Sequence, residues 1–217
     1  MLEQGVEVGA NPLRSALAER YDRAAAEWHV RLTSLGYLSA YRDVAERVAK
    51  RLPLRAPFRV LDVGTGSGAL ALAFAEAVKG TVDLRLLDVS RAMLSVAQRQ
   101  LRERGFEAHV EQRSIDDGLP AGRFDVVLCG HVLEHVEVPL ASLRSVRRSL
   151  AADGTLLVVA NKPHWCTMLL RLRWRHHVFP EQDMVRLLVA AGFSSVESYH
   201  FKHGPPRRTS MAYLARC

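Results

Sequence analysis

The segment from Val60 to Gly68 constrains this chain more than any other part of its sequence. An apolar run ends at Asp62, continues into Gly64-Thr65-Gly66-Ser67-Gly68, and is followed by a helix-forming stretch. Glycine at such a strand-to-helix turn lets the backbone approach a ligand where a side chain would collide. A second apolar run ends at Asp88, where an acid can accept hydrogen bonds from a ribose diol. The pattern predicts a site for a nucleoside-containing cofactor.

Two kinds of cofactor have to be weighed at this turn. The glycines and the following alanine match the loose dinucleotide pattern G-x-G-x-x-A, and Asp88 lies near the spacing of about 20 residues expected of a nicotinamide ribose acid. Against NAD, the carboxylate of Asp62 would face a pyrophosphate unfavourably, whereas it suits a cofactor that carries an ammonium group. The segment after Asp88 also offers Met93 and Leu94, which can close over an adenine.

Three blocks of the sequence resemble class I S-adenosylmethionine-dependent methyltransferases, in the small-molecule branch that includes the ubiquinone and menaquinone biosynthetic enzymes. The blocks are residues 62–68, 88–94 and 124–136, and the resemblance extends over residues 20–200. It implies an α/β, Rossmann-like, doubly wound, mostly parallel seven-stranded sheet with an antiparallel C-terminal hairpin and an N-terminal helical lid. It also implies methyl transfer from S-adenosyl-L-methionine to an oxygen or nitrogen of a small-molecule acceptor such as a quinone, a phenol or a secondary metabolite.

The resemblance assigns roles to individual residues. The three glycines would let the backbone approach the methionyl and ribosyl parts of the cofactor, Asp62 would hold its amino group, and Asp88 would bind the ribose hydroxyls. Ile115 and Asp116 fall where the family places its contacts to the adenine edge. The predicted cofactor-binding set is Tyr21, Asp62, Gly64, Gly66, Gly68, Asp88, Val89, Ser90, Met93, Ile115, Asp116 and Cys129.

The segment His131-Val132-Leu133-Glu134-His135 follows the fourth predicted strand, at the end of the sheet where parallel strands form a crevice. His135 and His131 are the candidate catalytic residues. In one interpretation His135 packs beside the cofactor; in a second it is a general base, since an imidazole accepts protons near neutral pH. A metal site is the third. The segment matches the inverted zinc-peptidase pattern H-x-x-E-H, but it follows a strand within a methyltransferase arrangement. It is also similar to the E-x-x-E-H run that can bind a divalent cation in the quinone O-methyltransferases, with His131 in place of the first acid, and no metal ligand is assigned.

Residues 21–28 resemble the lid of this branch, in which aromatic side chains cover the cofactor. Tyr21 and Trp28 share a helix face, a spacing that ordinary packing explains equally well. An insert at 162–180 is predicted to cap the substrate side, with apolar residues interleaved with cations. It suits an acidic aromatic acceptor, peripheral membrane contact through residues 165–175, or a solvated helix. The predicted substrate residues are Trp28, His164, Trp165 and His177.

Composition narrows the class of protein. The chain has 217 residues, a formal net charge of +7 and three cysteines without a C-x-x-C pair. We expect one methyltransferase domain over 1–217, divided into a lid (1–52), a cofactor-binding core (53–161), the cap insert (162–180) and a C-terminal helix and hairpin (181–217). The scattered cysteines, the absence of a signal-peptide pattern and the lack of a long apolar run favour a cytoplasmic protein. No RNA-binding signature occurs, so nucleic acid is not an expected partner.

Hydrophobic periodicity and turn residues predict alternating strands and helices. The alternation implies right-handed crossovers in a parallel sheet. The predicted helices are 13–29, 36–52, 67–78, 91–104, 139–150 and 181–191, and the predicted strands are 58–63, 82–87, 107–112, 124–129, 155–160, 194–201 and 210–215.

Two other functional classes compete with the methyltransferase. One is a non-catalytic binding module of the same fold, and the other is an NAD-dependent oxidoreductase.

Overall fold

The computed structural model describes residues 12–52, 57–78, 80–164 and 177–217. The helices are α1 (Pro12–Ser34), α2 (Tyr37–Ala49), α3 (Ala69–Ala77), α4 (Arg91–Arg102), α5 (Pro139–Ser149), α6 (Glu181–Ala190) and α7 (Gly204–Thr209), and a 3-10 turn covers Ile115–Asp117. The strands are β1 (Phe58–Val63), β2 (Val82–Asp88), β3 (Ala108–Gln112), β4 (Phe124–Gly130), β5 (Leu150–Asn161), β6 (Ser195–His200) and β7 (Ser210–Arg216).

The seven strands form one sheet in the order β3-β2-β1-β4-β5-β7-β6. Strands β1 to β5 are mutually parallel, and β7 runs antiparallel to both β5 and β6. This arrangement confirms the predicted fold class, including the antiparallel C-terminal hairpin. The strand order reverses between β1 and β4, and a ligand crevice in such a sheet lies beyond the carboxyl ends of the strands at that point.

The central strands read as nearly continuous apolar runs because helices cover both faces of the sheet. Along β1, Val60 packs into the core on the face of α2, α3 and α4, whereas Leu61 and Val63 pack into the core on the face of α5 and α6. Strand β4 alternates in the same way, with Leu128 on the first face and Cys129 on the second. The two cores hold the ends of β1 and β4 rigidly beside each other.

Several element boundaries differ from those predicted. Helix α1 continues to Ser34 because the first helix-terminating residue is Gly36, which has a φ of 78°. Strand β5 begins at Leu150, with a register shift against β4 before it resumes at Thr155. The predicted loop between the last two strands contains a short helix, α7, which starts at a proline-rich segment that suits a first helical turn.

The N-terminal helices lie beside the carboxyl ends of β1 and β4. Helix α1 packs against α4 and α2, and α2 packs against α3. Within the described ranges, no helix has both the length and the apolar character that crossing a membrane requires.

Candidate functional site

The turn after β1 is built from three glycines with positive φ angles of 62°, 53° and 78° at Gly64, Gly66 and Gly68. A Cβ atom on Gly64 would lie 2.3 Å from a methyl carbon of Val132, and one on Gly68 would lie 2.9 Å from a side-chain carbon of α4. At Gly66 the nearest atom would be the indole nitrogen of Trp28, 3.8 Å away. Gly64 and Gly68 are therefore also required by packing, whereas Gly66 has space beside it.

Asp88 lies at the carboxyl end of β2 and is only 7% exposed. Its Oδ2 accepts the N–H of Gly66 at 2.8 Å, and its Oδ1 accepts the N–H of Ser90 at 2.9 Å. Burial raises the pKa of Asp88, and these backbone hydrogen bonds oppose that rise. The Gly66 N–H joins the carboxylate to the glycine turn, and the Ser90 N–H joins it to the N-cap of α4. Each oxygen keeps a lone pair for a ligand hydroxyl.

Asp62 is the more deeply buried of the two predicted carboxylates, with 1% exposure. It accepts a hydrogen bond from Oγ1 of Thr65 at 2.6 Å. Burial raises the pKa of Asp62 to about 7, the nearby charge of Asp88 adds to the rise, and the Thr65 hydrogen bond opposes it. Among the described residues no cation pairs with Asp62. A ligand ammonium placed beside it would favour its ionised form.

A crevice of about 760 Å³, including its open mouth, runs along the ends of β1, β2 and β4. The predicted residues that line it are Tyr21, Trp28, Gly64, Gly66, Asp88, Val89, Ile115, Asp116, His131 and His135. The residues that the predicted set lacks are Leu17, Val63, Arg113, Ser114, Val132 and Val136.

Helix α1 covers the crevice with aromatic side chains. The hydroxyl of Tyr21 shares a hydrogen bond with Nε2 of His135 at 3.1 Å, and the ring of Trp28 packs edge-on against Tyr21 with centroids 5.6 Å apart. Burial raises the pKa of Tyr21 to about 12, with the charges of Asp88 and Glu134 adding to the rise, so this hydroxyl stays protonated at neutral pH.

Helix α1 is also attached to the start of α4 by hydrogen bonds. Ser90 is the N-cap of that helix, and its hydroxyl oxygen accepts the N–H of Met93 at 3.0 Å. The carboxylate of Asp22, on α1, accepts the Ser90 hydroxyl at 2.5 Å and the N–H of Ala92 at 3.1 Å. An acid from the lid thus serves as a second cap for the helix that follows the ribose acid.

A second cavity, of about 1170 Å³ with its open mouth, adjoins the crevice beneath α1 and α2. It shares five of its lining residues with the crevice, namely Tyr21, Trp28, Gly64, His131 and His135. The rest of its lining is largely aromatic and aliphatic, with a polar base and two arginines; it comprises Arg20, Arg31, Leu32, Leu35, Tyr37, Tyr41, Asp62, Thr65, Ser67, Ala69, Leu70 and Asn161.

The segment after β4 places His131 and His135 between the two spaces. The residues from Leu133 to His135 form a turn rather than an α-helix, closed by the N–H of His135 and the carbonyl of Val132 at 2.9 Å. Nδ1 of His131 lies 3.1 Å from Oε1 of Glu134, whose side chain is wholly buried. The two histidines therefore differ in their partners, since His135 is bonded to the lid.

Several predicted site residues lie away from the two cavities. Gly68, Ser90, Met93 and Cys129 are buried and line neither space. Burial raises the pKa of the Cys129 thiol, so it is a core side chain rather than a thiolate.

The predicted cap is described only at its two ends. His164 is partly buried and His177 is exposed, and neither lines a described cavity. The N–H of His177 donates to the carbonyl of Glu134 at 3.0 Å, which brings the end of the cap to the turn after β4. Trp165 and the predicted membrane-contact segment 165–175 lie outside the described residues. Among the residues that are described, no three His, Cys, Asp or Glu side chains are grouped as a metal site.

Sequence reasoning missed the aromatic wall of the second cavity and its base. Tyr37 and Tyr41 are four residues apart on α2, a spacing that indicates one helix face but not what that face covers. Asn161 is the last residue of β5. Because ligands bind beyond the carboxyl ends of parallel strands, the argument that selected the residues after β4 also applies to Asn161.

The sequence is similar to curated methyltransferases over its central part. It is 35% identical over 106 residues to the ubiquinone biosynthesis O-methyltransferase of Haemophilus ducreyi, covering 46% of this chain and 44% of that protein. It is 34% identical over 109 residues to the ubiquinone/menaquinone biosynthesis C-methyltransferase UbiE of Pseudomonas putida, covering 49% and 43%. The matched region thus spans less than half the length of these relatives.

Solved structures share the fold at low sequence identity. Magnesium protoporphyrin IX methyltransferase from Synechocystis, with bound SAM, superposes with a TM-score of 0.71 at 19% identity, covering 96% of this chain and 98% of that one. The N-methyltransferase NodS from Bradyrhizobium japonicum gives 0.72 at 18% identity, covering 95% and 98%. The profile of a family described as "Methyltransferase domain" matches residues 37–198, about three quarters of the sequence. The chain therefore belongs to the methyltransferase domain family.

Proposed function

We propose that this chain transfers a methyl group from S-adenosyl-L-methionine to an oxygen or nitrogen of a small-molecule acceptor. The observation that carries the proposal is the pair of adjoining spaces. One lies along the glycine turn and Asp88, where a nucleoside fits, and the other lies beneath α1 and α2. The residues common to both mark the boundary across which a methyl group would pass.

The residues of the crevice fit the parts of this cofactor. Asp88 offers its remaining lone pairs to the ribose hydroxyls, and the space at Gly66 admits the ligand close to the backbone. Val89 and Ile115 supply apolar contacts for the adenine, with Asp116 beside them. Asp62 lines the base of the second cavity, so the methionyl end of the cofactor would extend from the crevice into that base, beside Asp62, and the acceptor would occupy the rest of the cavity beneath α1 and α2. The Asp62 carboxylate, which has no cationic partner among the described residues, suits an ammonium group and not a pyrophosphate. This set favours the sulfonium cofactor over NAD.

When bound, S-adenosylmethionine supplies an electrophilic methyl group. The protein therefore has to bind the cofactor, orient the acceptor toward the methyl group and exclude water. Tyr21 and Trp28 cover the crevice and reduce its access to solvent. His131 and His135 lie at the boundary of the two spaces, where an imidazole can receive a proton from the acceptor.

The second cavity suits a planar, largely apolar acceptor. Its aromatic and aliphatic lining includes Trp28, Tyr37 and Leu32, and Arg20 and Arg31 add positive charge. We assign His164, Trp165 and His177 to the acceptor side because they lie in the predicted cap or at its ends. The relatives named for ubiquinone biosynthesis and for magnesium protoporphyrin IX support a small-molecule acceptor.

The cofactor is tested by calorimetry with S-adenosylhomocysteine and, separately, with NAD. We expect the homocysteine compound to bind and NAD not to bind, whereas the reverse result would reject the proposal. The acceptor is tested by incubating the protein with S-adenosylmethionine labelled in the methyl group and a panel of phenols, amines, quinones and RNA. Label should enter a phenol, quinone or amine. Cofactor binding without transfer to any compound would instead favour a non-catalytic binding module.

A further inference from the structure

His131 has an unusual backbone conformation at the boundary of the two cavities. Its φ is 58°, and it is the one non-glycine residue with positive φ in the described part of the chain. This left-handed conformation is unfavourable for a residue with a side chain. It is held by the N–H of His131, which donates to the carbonyl of Val159 at 2.7 Å. Strain of this kind persists where the surrounding structure imposes it, and it often marks a functional position.

The imidazole is oriented by a buried carboxylate. Oε1 of Glu134 lies 3.1 Å from Nδ1 of His131 and accepts the N–H of Asn161 at 2.7 Å. Burial alone would raise the pKa of Glu134, but the hydrogen bond and charge of His131 and the Asn161 N–H together lower it. Glu134 is therefore ionised at neutral pH and can only accept, so Nδ1 of His131 carries the proton. In the neutral ring the lone pair is then on Nε2.

Nε2 of His131 is buried and has no hydrogen-bond partner among the described residues. A buried polar atom without a partner is costly, which points to a ligand donor at this place. The titratable and charged groups lining the second cavity with it are Arg20 and Tyr21 of α1, Arg31 near the end of α1, Tyr37 and Tyr41 of α2, Asp62 of β1, and His135. The ring of Tyr37 lies edge-on to that of His131, with centroids 5.4 Å apart.

His135 is in a different position. Its Nε2 is bonded to the hydroxyl of Tyr21, which places this nitrogen in the contact between the turn and the lid. Of the two histidines, His131 is the one with a free nitrogen beside both cavities. The sequence pattern alone does not distinguish them.

We propose that Nε2 of His131, oriented by Glu134, takes the proton from an O–H or N–H nucleophile bound in the second cavity. This inference rests on the proposed function and specifies its acceptor as a group that must lose a proton. The acceptor's lone pair forms the bond to the methyl carbon, the carbon–sulfur bond breaks with its electron pair left on sulfur, and the acceptor proton moves to Nε2. The resulting imidazolium is stabilised by Glu134 and returns its proton to water. Glu134 is a positioning residue.

The first test needs no acceptor. Nitrogen-15 NMR of histidine-labelled protein, with and without S-adenosylhomocysteine, reports which ring nitrogen carries hydrogen. We expect His131 to be the Nδ1–H tautomer with a bare Nε2. A wild-type Nε2–H tautomer would overturn the assignment.

The second test uses the labelled phenol or amine identified by the acceptor panel. His131→Gln should lower kcat about 100-fold or more, while the dissociation constant of S-adenosylhomocysteine changes less than about threefold. Glu134→Gln should move the acidic limb of the kcat profile to lower pH. His109→Gln, an exposed histidine on β3, is the matched control and should leave kcat unchanged. Normal kcat in His131→Gln would refute the proton transfer but leave the proposed methyltransferase intact, whereas failure to bind S-adenosylhomocysteine would refute the latter.

Discussion

At the scale of single residues, the candidate site depends on the relative positions of carboxylates and glycine backbone groups. A carboxylate at the end of β2 and a glycine backbone beside it are within 2.8 Å of each other, and the spacing of these residues in the sequence predicted that both belong to one site. The sequence did not reveal that Gly64 and Gly66 differ in their surroundings. Val132, which is 68 residues after Gly64 in the sequence, packs against Gly64 and leaves no room for a side chain there, whereas Gly66 has open space beside it.

Replacing Asp88 by alanine should weaken cofactor binding. The change removes charge-assisted contacts to the ribose, which we expect to cost about 1.5–3 kcal/mol, or about tenfold to 150-fold in the dissociation constant. The measurement is calorimetry with S-adenosylhomocysteine. Asp83→Ala, on the same strand but at its opposite end, is the matched control. An unchanged dissociation constant in Asp88→Ala would contradict the assigned role.

Replacing Gly64 by alanine should destabilise the protein itself. The new Cβ would lie 2.3 Å from Val132 at a φ of 62°, so overpacking adds to backbone strain, at about 2–5 kcal/mol in the free energy of unfolding. Gly105→Ala has a similar φ of 82° but nothing within 4 Å, and should cost only about 1–2 kcal/mol. Urea denaturation measures both. The second substitution Val132→Ala should restore part of the loss in Gly64→Ala; no restoration would mean that the clash is not its cause.

At the scale of secondary-structure elements, the periodicity of the sequence predicted the existence of nearly every helix and strand. Boundaries were less well predicted, because helices continue until a residue such as Gly36 stops them and β5 extends through an irregular pairing. The face that α1 turns to the sheet was predicted only in part. Tyr21 and Trp28 were expected on one face of the lid, whereas the contact between Asp22 and α4 has no local signal, since 68 residues separate Asp22 from Ser90.

Replacing Asp22 by alanine should loosen α1. The carboxylate caps the N-terminus of α4, and losing a helix cap costs about 0.5–2 kcal/mol in the free energy of unfolding. Because this cap comes from α1, its loss should mainly weaken the attachment of α1 to α4. We expect faster hydrogen exchange at the amides of α1 and faster dissociation of S-adenosylhomocysteine. Glu27→Ala, at an exposed acid on the same helix, is the control. Exchange in α1 that is equal in both variants would show that Asp22 does not hold the lid.

At the scale of the whole molecule, the sheet order brings together groups that are far apart in the chain. Asp62 is the penultimate residue of β1 and Asp88 is the last residue of β2, and the reversal of strand order beside β1 opens the crevice above them. Burying them has a cost in the unliganded protein, since burial raises the pKa of both carboxyl groups and the charge of Asp88 adds to the rise at Asp62.

The stability of the unliganded protein should therefore depend on Asp62 through pH. Its pKa is about 7 in the folded protein against 3.8 for the free side chain, so the folded state binds the proton more tightly. The resulting stability is fully present below pH 3.8 and is lost as pH rises through about 7, amounting to as much as about 4 kcal/mol. Asp62→Asn should remove this decrease, so the variant gains stability relative to wild type from pH 4 to pH 7. Thermal or urea unfolding across that range provides the measurement, and a constant difference between the two proteins would disprove the linkage.

The sequence by itself determined the alternation of strands and helices, the glycine turn and the two acids, because these depend on local periodicity, backbone freedom and the position of a residue at a strand end. The tertiary structure decided which side chains meet. The wall of the second cavity, the attachment of Asp22 to α4 and the different partners of His131 and His135 depend on how helices pack across the ends of the strands. Contacts between residues distant in the chain leave no periodic pattern in a single sequence, so they became visible only in the folded molecule.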